Sequence, residues 1–464
     1  MSRAEKLRTL PAVDELLRDA DLADLHQRFP RTILASWIRA AVDRLRQEIL
    51  DDSRRDTTDL RTAVIAEVRQ QSAREMGSAI QPVINATGII LHTNLGRAPL
   101  SSRAIERVAA SAGYSNVELD LHSGKRNQRG QRVSRLLQHL TAADDAIVVN
   151  NCAAATILVL QTLAAGREVI VSRGQLVEIG GGFRLPDVFR SAGVQLREVG
   201  TTNRTYLRDY ESAINERTAA IIRVHHSNFR MSGFVTEPTI EELVTLRRPE
   251  AVPVIDDLGS GWIDSAGPLS LNEPSVAQSV RCGANLTLFS GDKLFGGPQC
   301  GIVVGRGDYI ERLRRSPMMR ALRMDKLSLA AMEATLEIHL SGEAATELPA
   351  LAMLAASAEE VHQRCLRVLE MLSLDTGVTI VPCQSQIGGG SVPGTDLPSY
   401  ALRIECDHPD LMARRLREGQ PAIQSRIQHD SLCLDLRTVS DDQCGDLIDR
   451  LNDALLDGGG GDRT

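Results

Sequence analysis

Ser290-Gly291-Asp292-Lys293-Leu294-Phe295-Gly296-Gly297-Pro298-Gln299 lies between two apolar runs, Leu286-Thr287-Leu288-Phe289 before it and Ile302-Val303-Val304 after it. The runs read as strands and the ten residues as the turn joining them. A lysine held in a glycine-flanked turn, partly out of water, is a candidate Schiff-base former, because desolvation favours its neutral amine. The Ser290 hydroxyl and the open glycine backbone nearby suit a phosphate group. Over these ten residues alone, a surface lysine in an ordinary hairpin would read the same way.

Working outward, further strands are expected at 146–150, 168–172, 195–199, 219–224 and 252–255, with helical stretches between them. Such alternation means an α/β sheet, largely parallel, and ligands bind such sheets beyond the carboxyl ends of the strands. Polar clusters follow the strands one after another. Asn151-Cys152-Ala153-Ala154-Ala155-Thr156 opens a helix whose small residues would let exposed amides approach an anion. Arg173 to Gly182, Gly200-Thr201-Thr202-Asn203-Arg204-Thr205, His225-His226-Ser227-Asn228 and Asp256-Asp257-Leu258-Gly259-Ser260-Gly261 follow the next four. Any one is weak evidence, but the set is hard to explain as core filling.

Pyridoxal 5'-phosphate (PLP) asks three things of a protein: a lysine for its aldehyde, an acid for its ring nitrogen and donors for its phosphate. Lys293 supplies the first. Asp256 or Asp257 supplies the second; side chains alternate along a strand, and Asp257, which leads into the glycine turn, is the expected one. Ser290 and the 151–155 helix start supply the third, with Asn151, Cys152 and Ala153 at the cup and Asn228 among the cofactor contacts. His225 and His226 are adjacent and point apart, so they are expected in the core or at the cofactor edge rather than on a metal. No metal is expected.

The flanks and bulk composition set limits. Residues 1–78 read as a helical domain, with Ile38, Val42, Leu45 and Ile49 at helical spacing, a charged break at 51–57, and Leu60, Val64 and Val68 beyond it. Arg28, Arg31, Arg39, Arg44, Arg46, Arg54 and Arg55 could form a stripe there, although a solvated helix face explains them as well. Residues 79–325 form the large α/β domain, and 326–464 a smaller α+β domain. The latter is expected to carry helices at 327–339, 344–372 and 441–455, strands near 378–381, 400–404 and 432–436, and a flexible glycine tail at 458–461. The net charge of −7 argues against indiscriminate nucleic-acid binding. Eight cysteines stand singly, without a CxxC pair, which disfavours a zinc ribbon or disulfide scaffold. No apolar run is long enough to span a bilayer and no signal segment is visible, so the expected compartment is the cytoplasm.

The stretches PVINATGIILHTNLGRAPL, IVVNNCAAAT, VSRGQLVEIGGGFRLPDV, VGTTNRT, DLGSG, SGDKLFGGPQCGIVVG and RALRMDKLSLAAMEATL span residues 82 to about 337. In this order they resemble the bacterial L-seryl-tRNA(Sec) selenium transferases, or selenocysteine synthases, which are fold-type I PLP enzymes. Cys152 stands where that family's pattern leads one to expect Asn. The resemblance implies conversion of L-seryl-tRNA(Sec) to L-selenocysteinyl-tRNA(Sec) with selenophosphate as donor, through a PLP aldimine and an aminoacrylate. It implies that Lys293 carries the cofactor and shuttles protons. Arg97 and Asp292 would belong to the catalytic site, and Thr201, Thr202 and Arg320 would hold selenophosphate or phosphate. It further implies a tRNA-binding N-terminal domain and a homo-oligomer, typically a decamer.

Two other readings remain open on the sequence. A PLP lyase acting on a small amino acid or sugar acid would share the lysine loop, though such relatives tend to lack the helical N-terminal domain. A non-catalytic RNA-binding scaffold could keep the fold, but the intact set of Lys293, Asp257 and Ser290 speaks against it.

Overall fold

The computed structural model describes residues 3–51, 59–77, 79–180, 182–246, 252–263, 271–372 and 377–458. Apart from Asp51 and Gly458, the charged break and the glycine tail expected from sequence lie outside the described residues. The chain divides into two compact units, residues 1–82 and 83–464.

In the first unit, α1 (Arg31–Leu50) buries Leu34, Trp37, Ile38, Ala41, Val42 and Leu45 against Val64, Ile65 and Val68 of α2 (Leu60–Met76). These positions recur at helical spacing, so each helix turns one apolar stripe inward. Asp59 caps α2 by accepting from the Arg61 amide. Arg61 in turn donates two bonds to the buried Asp19 carboxylate, at 2.7 and 2.6 Å. Of the arginines in the expected stripe, Arg31, Arg44 and Arg46 face Asp14, Glu67 and Asp43.

The second unit is built on a seven-stranded sheet. Its strands are β1 (Asp145–Val149), β2 (Glu168–Ser172), β3 (Gln195–Val199), β4 (Thr218–Val224), β5 (Val254–Gly259), β6 (Leu286–Ser290) and β7 (Gly301–Gly305). They lie in the order β1-β7-β6-β5-β4-β2-β3. All neighbours are parallel except those of β7, which runs against both β1 and β6. Helices cover the sheet, so the central strands run apolar almost without alternation. The fifth strand begins and ends later than the 252–255 expected, and Asp256 and Asp257 therefore sit inside it.

The carboxyl-terminal part forms an antiparallel sheet of β8 (Val378–Gln386), β9 (Asp396–Ile404), β10 (Ser431–Asp435) and the short strand Arg426–Gln428. The single helix expected at 344–372 is corrected to three: Ala344–Glu347, Pro349–Ala355 and Ala358–Met371. Pro349 has no amide with which to continue a helix, and Ser357 and Glu360 form a capping box that starts a new one.

The lead-in segment after residue 82 is stitched to this region. Strand Val83–Asn85 pairs in parallel with Ala422–Gln424. The amides of Ile90 and Leu91 donate to the carbonyls of Gln386 and Ile387 at 2.9 and 2.8 Å. Buried Asp435 anchors the junction, accepting from Ser385 and Ser399 at 2.7 and 2.8 Å and pairing with Arg426 at 3.2 Å.

Candidate active site

The lysine turn is a hairpin between β6 and β7, with Ser290 opposite Gly301. Gly301 is required by a close approach: a Cβ there would collide with the Asn151 carbonyl, so the hairpin and the start of helix α3 (Cys152–Ala164) are pressed together. Their meeting point is the floor of a cavity of about 320 Å³ beyond the carboxyl ends of the parallel strands. Arg97, Asn151, Cys152, Ala153, Asp257, Ser290 and Lys293 line it together.

Lys293 is buried, and desolvation lowers its pKa, with nearby Arg97 pushing the same way. Its Nζ donates to the Gly390 carbonyl at 3.4 Å. A lowered pKa puts more of the amine in its neutral, nucleophilic form.

Alternation along β5 separates the two aspartates. Asp257 faces the cavity and takes a hydrogen bond from the Thr156 hydroxyl at 3.2 Å. Burial pushes its pKa up to about 6, against the opposing pull of the Thr156 bond and the Lys293 charge. Asp256 faces the other way, paired with Arg223 at 3.1 Å and accepting from Ser279 at 2.6 Å. Only Asp257 is available to a ligand in the cavity.

The helix start has the expected anion-cup geometry. Asn151 caps α3 by accepting from the Ala154 amide at 2.8 Å, and its carbonyl takes the Ala155 amide at 3.1 Å. Those bonds leave the Cys152 and Ala153 amides at the cavity end of the helix. Burial pushes the Cys152 thiol well above its ordinary pKa, so it adds no negative charge where an anion would sit. The Ser290 hydroxyl donates to Asp292 Oδ1 at 2.6 Å, and Asp292 Oδ2 accepts from Arg97 at 2.8 Å.

These residues fit pyridoxal phosphate by their chemistry. A buried amine and a buried carboxylate line one cavity, the carboxylate held by the Thr156 hydroxyl and the Gly259 backbone, and the first amides of α3 lie at the end of the same cavity.

Other expected residues lie elsewhere. Asn228 donates to the Glu178 carbonyl at 2.8 Å and lines an adjoining cavity rather than this one. Thr201 and Thr202 are exposed in a turn where the Thr201 hydroxyl donates to the Arg204 carbonyl at 3.0 Å. Arg320, exposed on Pro317–Leu322, lines a separate cavity of about 680 Å³ with Arg129, Arg314 and Arg323.

Two features, Thr156 and the glycine loop over Lys293, escaped the sequence reading, whereas His225 stands at the cavity, one of the two places expected of it. Thr156 was legible as one helical turn beyond Cys152. His225 also lines the cavity, its Nε2 lying 3.3 Å from the buried Glu273 Oε2, while Glu273 Oε1 has no partner. The glycine loop 388–390 covers Lys293, and nothing local in its sequence points there.

Comparison with known proteins follows the same line. The family model described as L-seryl-tRNA selenium transferase matches residues 83–440, and one described as selenocysteine synthase N terminal matches residues 7–46. A protein of Moorella thermoacetica named L-seryl-tRNA(Sec) selenium transferase is 44% identical over 98% of both chains. One of the same name from Geobacter sulfurreducens is 42% identical over 96% of this chain and 98% of its own. Among solved structures, a D-glucosaminate-6-phosphate ammonia-lyase superposes with a TM-score of 0.57 at 20% identity, covering 84% of this chain and 99% of that one, a likeness of fold.

Proposed function

Since the chain belongs to the L-seryl-tRNA selenium transferase family, we propose that it converts L-seryl-tRNA(Sec) to L-selenocysteinyl-tRNA(Sec), with selenophosphate as the selenium donor. The observation that carries this reading is the buried Lys293 facing Asp257 across one cavity, within a chain alike over its whole length to enzymes of that name. The fold is that of the fold-type I PLP enzymes, which together with the family implies the cofactor.

Pyridoxal phosphate, when bound, supplies a ring that accepts the electron pair left as a proton leaves the carbon bearing a linked amine. Lys293 would hold it by its amine, Asp257 would keep its ring nitrogen protonated, and the Cys152 and Ala153 amides with Asn151 and Ser290 would take its phosphate. The pressure of burial on Asp257 is relieved when a cationic ring nitrogen faces it. Lys293, a free amine when the substrate is linked in its stead, would accept the Cα proton; the seryl hydroxyl would leave Cβ as water, selenium, its bond to phosphorus cleaved by water, would take its place, and Lys293 would return a proton to Cα. Arg97 holds Asp292 against the lysine turn, and that pair sets the charge around Nζ.

Thr201, Thr202 and Arg320 would bind selenophosphate, whose charge suits hydroxyls and a guanidinium fork. Arg320 lines a different cavity from Lys293 within one chain. This assignment therefore calls for a second copy to bring the donor site to the lysine, in keeping with a homo-oligomer, a decamer by analogy with the family. Residues 1–78 would grip the tRNA, with 79–325 as the cofactor domain and 326–464 as the small domain. No helix among the described residues is long and apolar enough to cross a membrane, and the cytoplasm is the proposed compartment.

The test is conversion of seryl-tRNA(Sec) by the PLP-loaded protein with selenophosphate, followed by identification of the aminoacyl group. Selenocysteine is expected. Retention of serine with PLP bound would defeat the function and leave the fold standing.

A further inference from the structure

Beside Lys293 a second, smaller cavity of about 230 Å³ opens between Ser227, Asn228 and the loop from Gln386 to Asp396. Ser227 lines both cavities, so the two adjoin at the lysine. The loop packs closely on the segment Ile89–Leu91. Gly388, Gly389 and Gly390 have φ of 73°, 61° and 70°, the left-handed region that favours glycine. A Cβ on Gly388 would strike the Ile89 side chain, and one on Gly389 would lie 2.7 Å from the Leu91 Cβ. The Gly390 carbonyl accepts from Lys293 Nζ at 3.4 Å.

Two features of this cavity bear on what it takes. Ser391 is among the residues that line it and is buried, and its hydroxyl has no hydrogen-bond partner. A buried hydroxyl left unpaired costs about 1–3 kcal/mol, which a ligand atom would recover. Second, the lining carries no cation; Asp396 is its one charged residue. Arg230 reaches only the Gly394 edge of the loop and is itself exposed. In the lysine cavity, Arg97 is committed to Asp292. A carboxylate entering on the loop side would meet Asp396 and neutral groups, and the Arg97 guanidinium across the lysine cavity is already paired with Asp292.

We propose that Ser391 and the 388–391 loop recognise the neutral ester carbonyl of an aminoacyl substrate and thereby exclude the free amino acid. The inference rests on the proposed function, in which serine arrives esterified to tRNA, and names the residues that read that ester. A hydroxyl donor with no cation beside it suits an ester oxygen, and the same lack of a cation works against a carboxylate.

The test compares alanine methyl ester with free alanine, ligands without a β leaving group, so that binding to the PLP-loaded protein is read by calorimetry without turnover. The ester is expected to bind at least about tenfold more tightly than the acid. Ser391→Ala should weaken ester binding by about five- to tenfold and leave alanine unchanged, while Ser391→Thr retains ester binding. Equal binding of ester and acid by the unaltered protein would overturn the proposal, as would a folded Ser391→Ala variant with undiminished ester affinity. Seryl-tRNA(Sec) conversion is assayed in parallel. Turnover without ester preference refutes the role of the loop alone; ester preference without selenocysteine formation refutes the proposed reaction and keeps the ester site.

Discussion

Arg97 and Asp292 form an ion pair of 2.8 Å between Nη1 and Oδ2, with the Asp292 side chain only 7% exposed. Arg97 achieves this from a φ of 63°, unusual for a residue with a side chain. Both Asp292 oxygens are thereby used, one by Arg97 and one by Ser290. The two charges act oppositely on the neighbouring amine, Arg97 lowering the Lys293 pKa and Asp292 raising it. In the cofactor-free protein, Arg97→Ala should move the pH midpoint of Lys293 reductive methylation upward, and Asp292→Asn should move it downward. Mass spectrometry of the modified lysine reads the midpoints; an unmoved midpoint in Arg97→Ala would refute the coupling.

Asp257 gives a pH signature with a definite sign. Its carboxyl has an ordinary value of 3.8 and is raised to about 6 in the fold. The stability this group contributes is full below the unfolded value and is lost as pH rises through the folded one. The loss amounts to about 3 kcal/mol in the cofactor-free chain. Asp257→Asn should therefore be more stable than the parent at pH 7 by up to that amount and equal to it near pH 3.5, in urea titrations across pH. In the loaded enzyme the same change should lower activity about a hundredfold.

Asp256 should behave in the opposite way. Asp256→Ala leaves Arg223 without its buried partner, and Ser279 loses its acceptor. Denaturant unfolding should show a loss of about 3–5 kcal/mol. Cofactor affinity in the folded fraction should stay within about twofold, since the side chain faces away from the cavity.

His225 and Glu273 can be tested as a pair. His225→Ala strands a carboxylate that already has one unpartnered oxygen, and should cost about 1–3 kcal/mol. Adding Glu273→Leu removes the stranded charge and should restore most of the loss. A double-mutant cycle with strictly additive effects would show that the two do not interact.

What could be read in the chain before the fold was known was what is local along it. The lysine hairpin joins strands a few residues apart, so apolar runs and glycines identify it. Asp257 is distinguished from Asp256 by the two-residue period of a strand. The break at Pro349 and the Ser357–Glu360 capping box are present in the sequence, where the continuous apolar pattern across 344–372 outweighs them. Other relationships had no local trace. Glu273 lies 48 residues from His225, and Gly390 lies 97 from Lys293. Only the sheet order and the return of the chain bring these together. Thr201, Thr202 and Arg320 each sit among suitable polar residues, and that none of them lines the lysine cavity is a fact of three dimensions alone.

The stitching of the lead-in segment to the carboxyl-terminal sheet has a consequence for how the protein is made. Thr438 donates to the Asn85 carbonyl and the Asp435 amide to that of Ala86, so the path toward Arg97 is held by residues synthesised well after it, Thr438 coming 353 positions after Asn85. A chain still on the ribosome can close the lysine hairpin and bring Asp292 to Arg97, but the lead-in strand Val83–Asn85 lacks its partners until residues 422–438 have emerged. The lead-in to the pocket is thus fixed only once residue 438 is available, and firm capture of the cofactor is expected to wait for it.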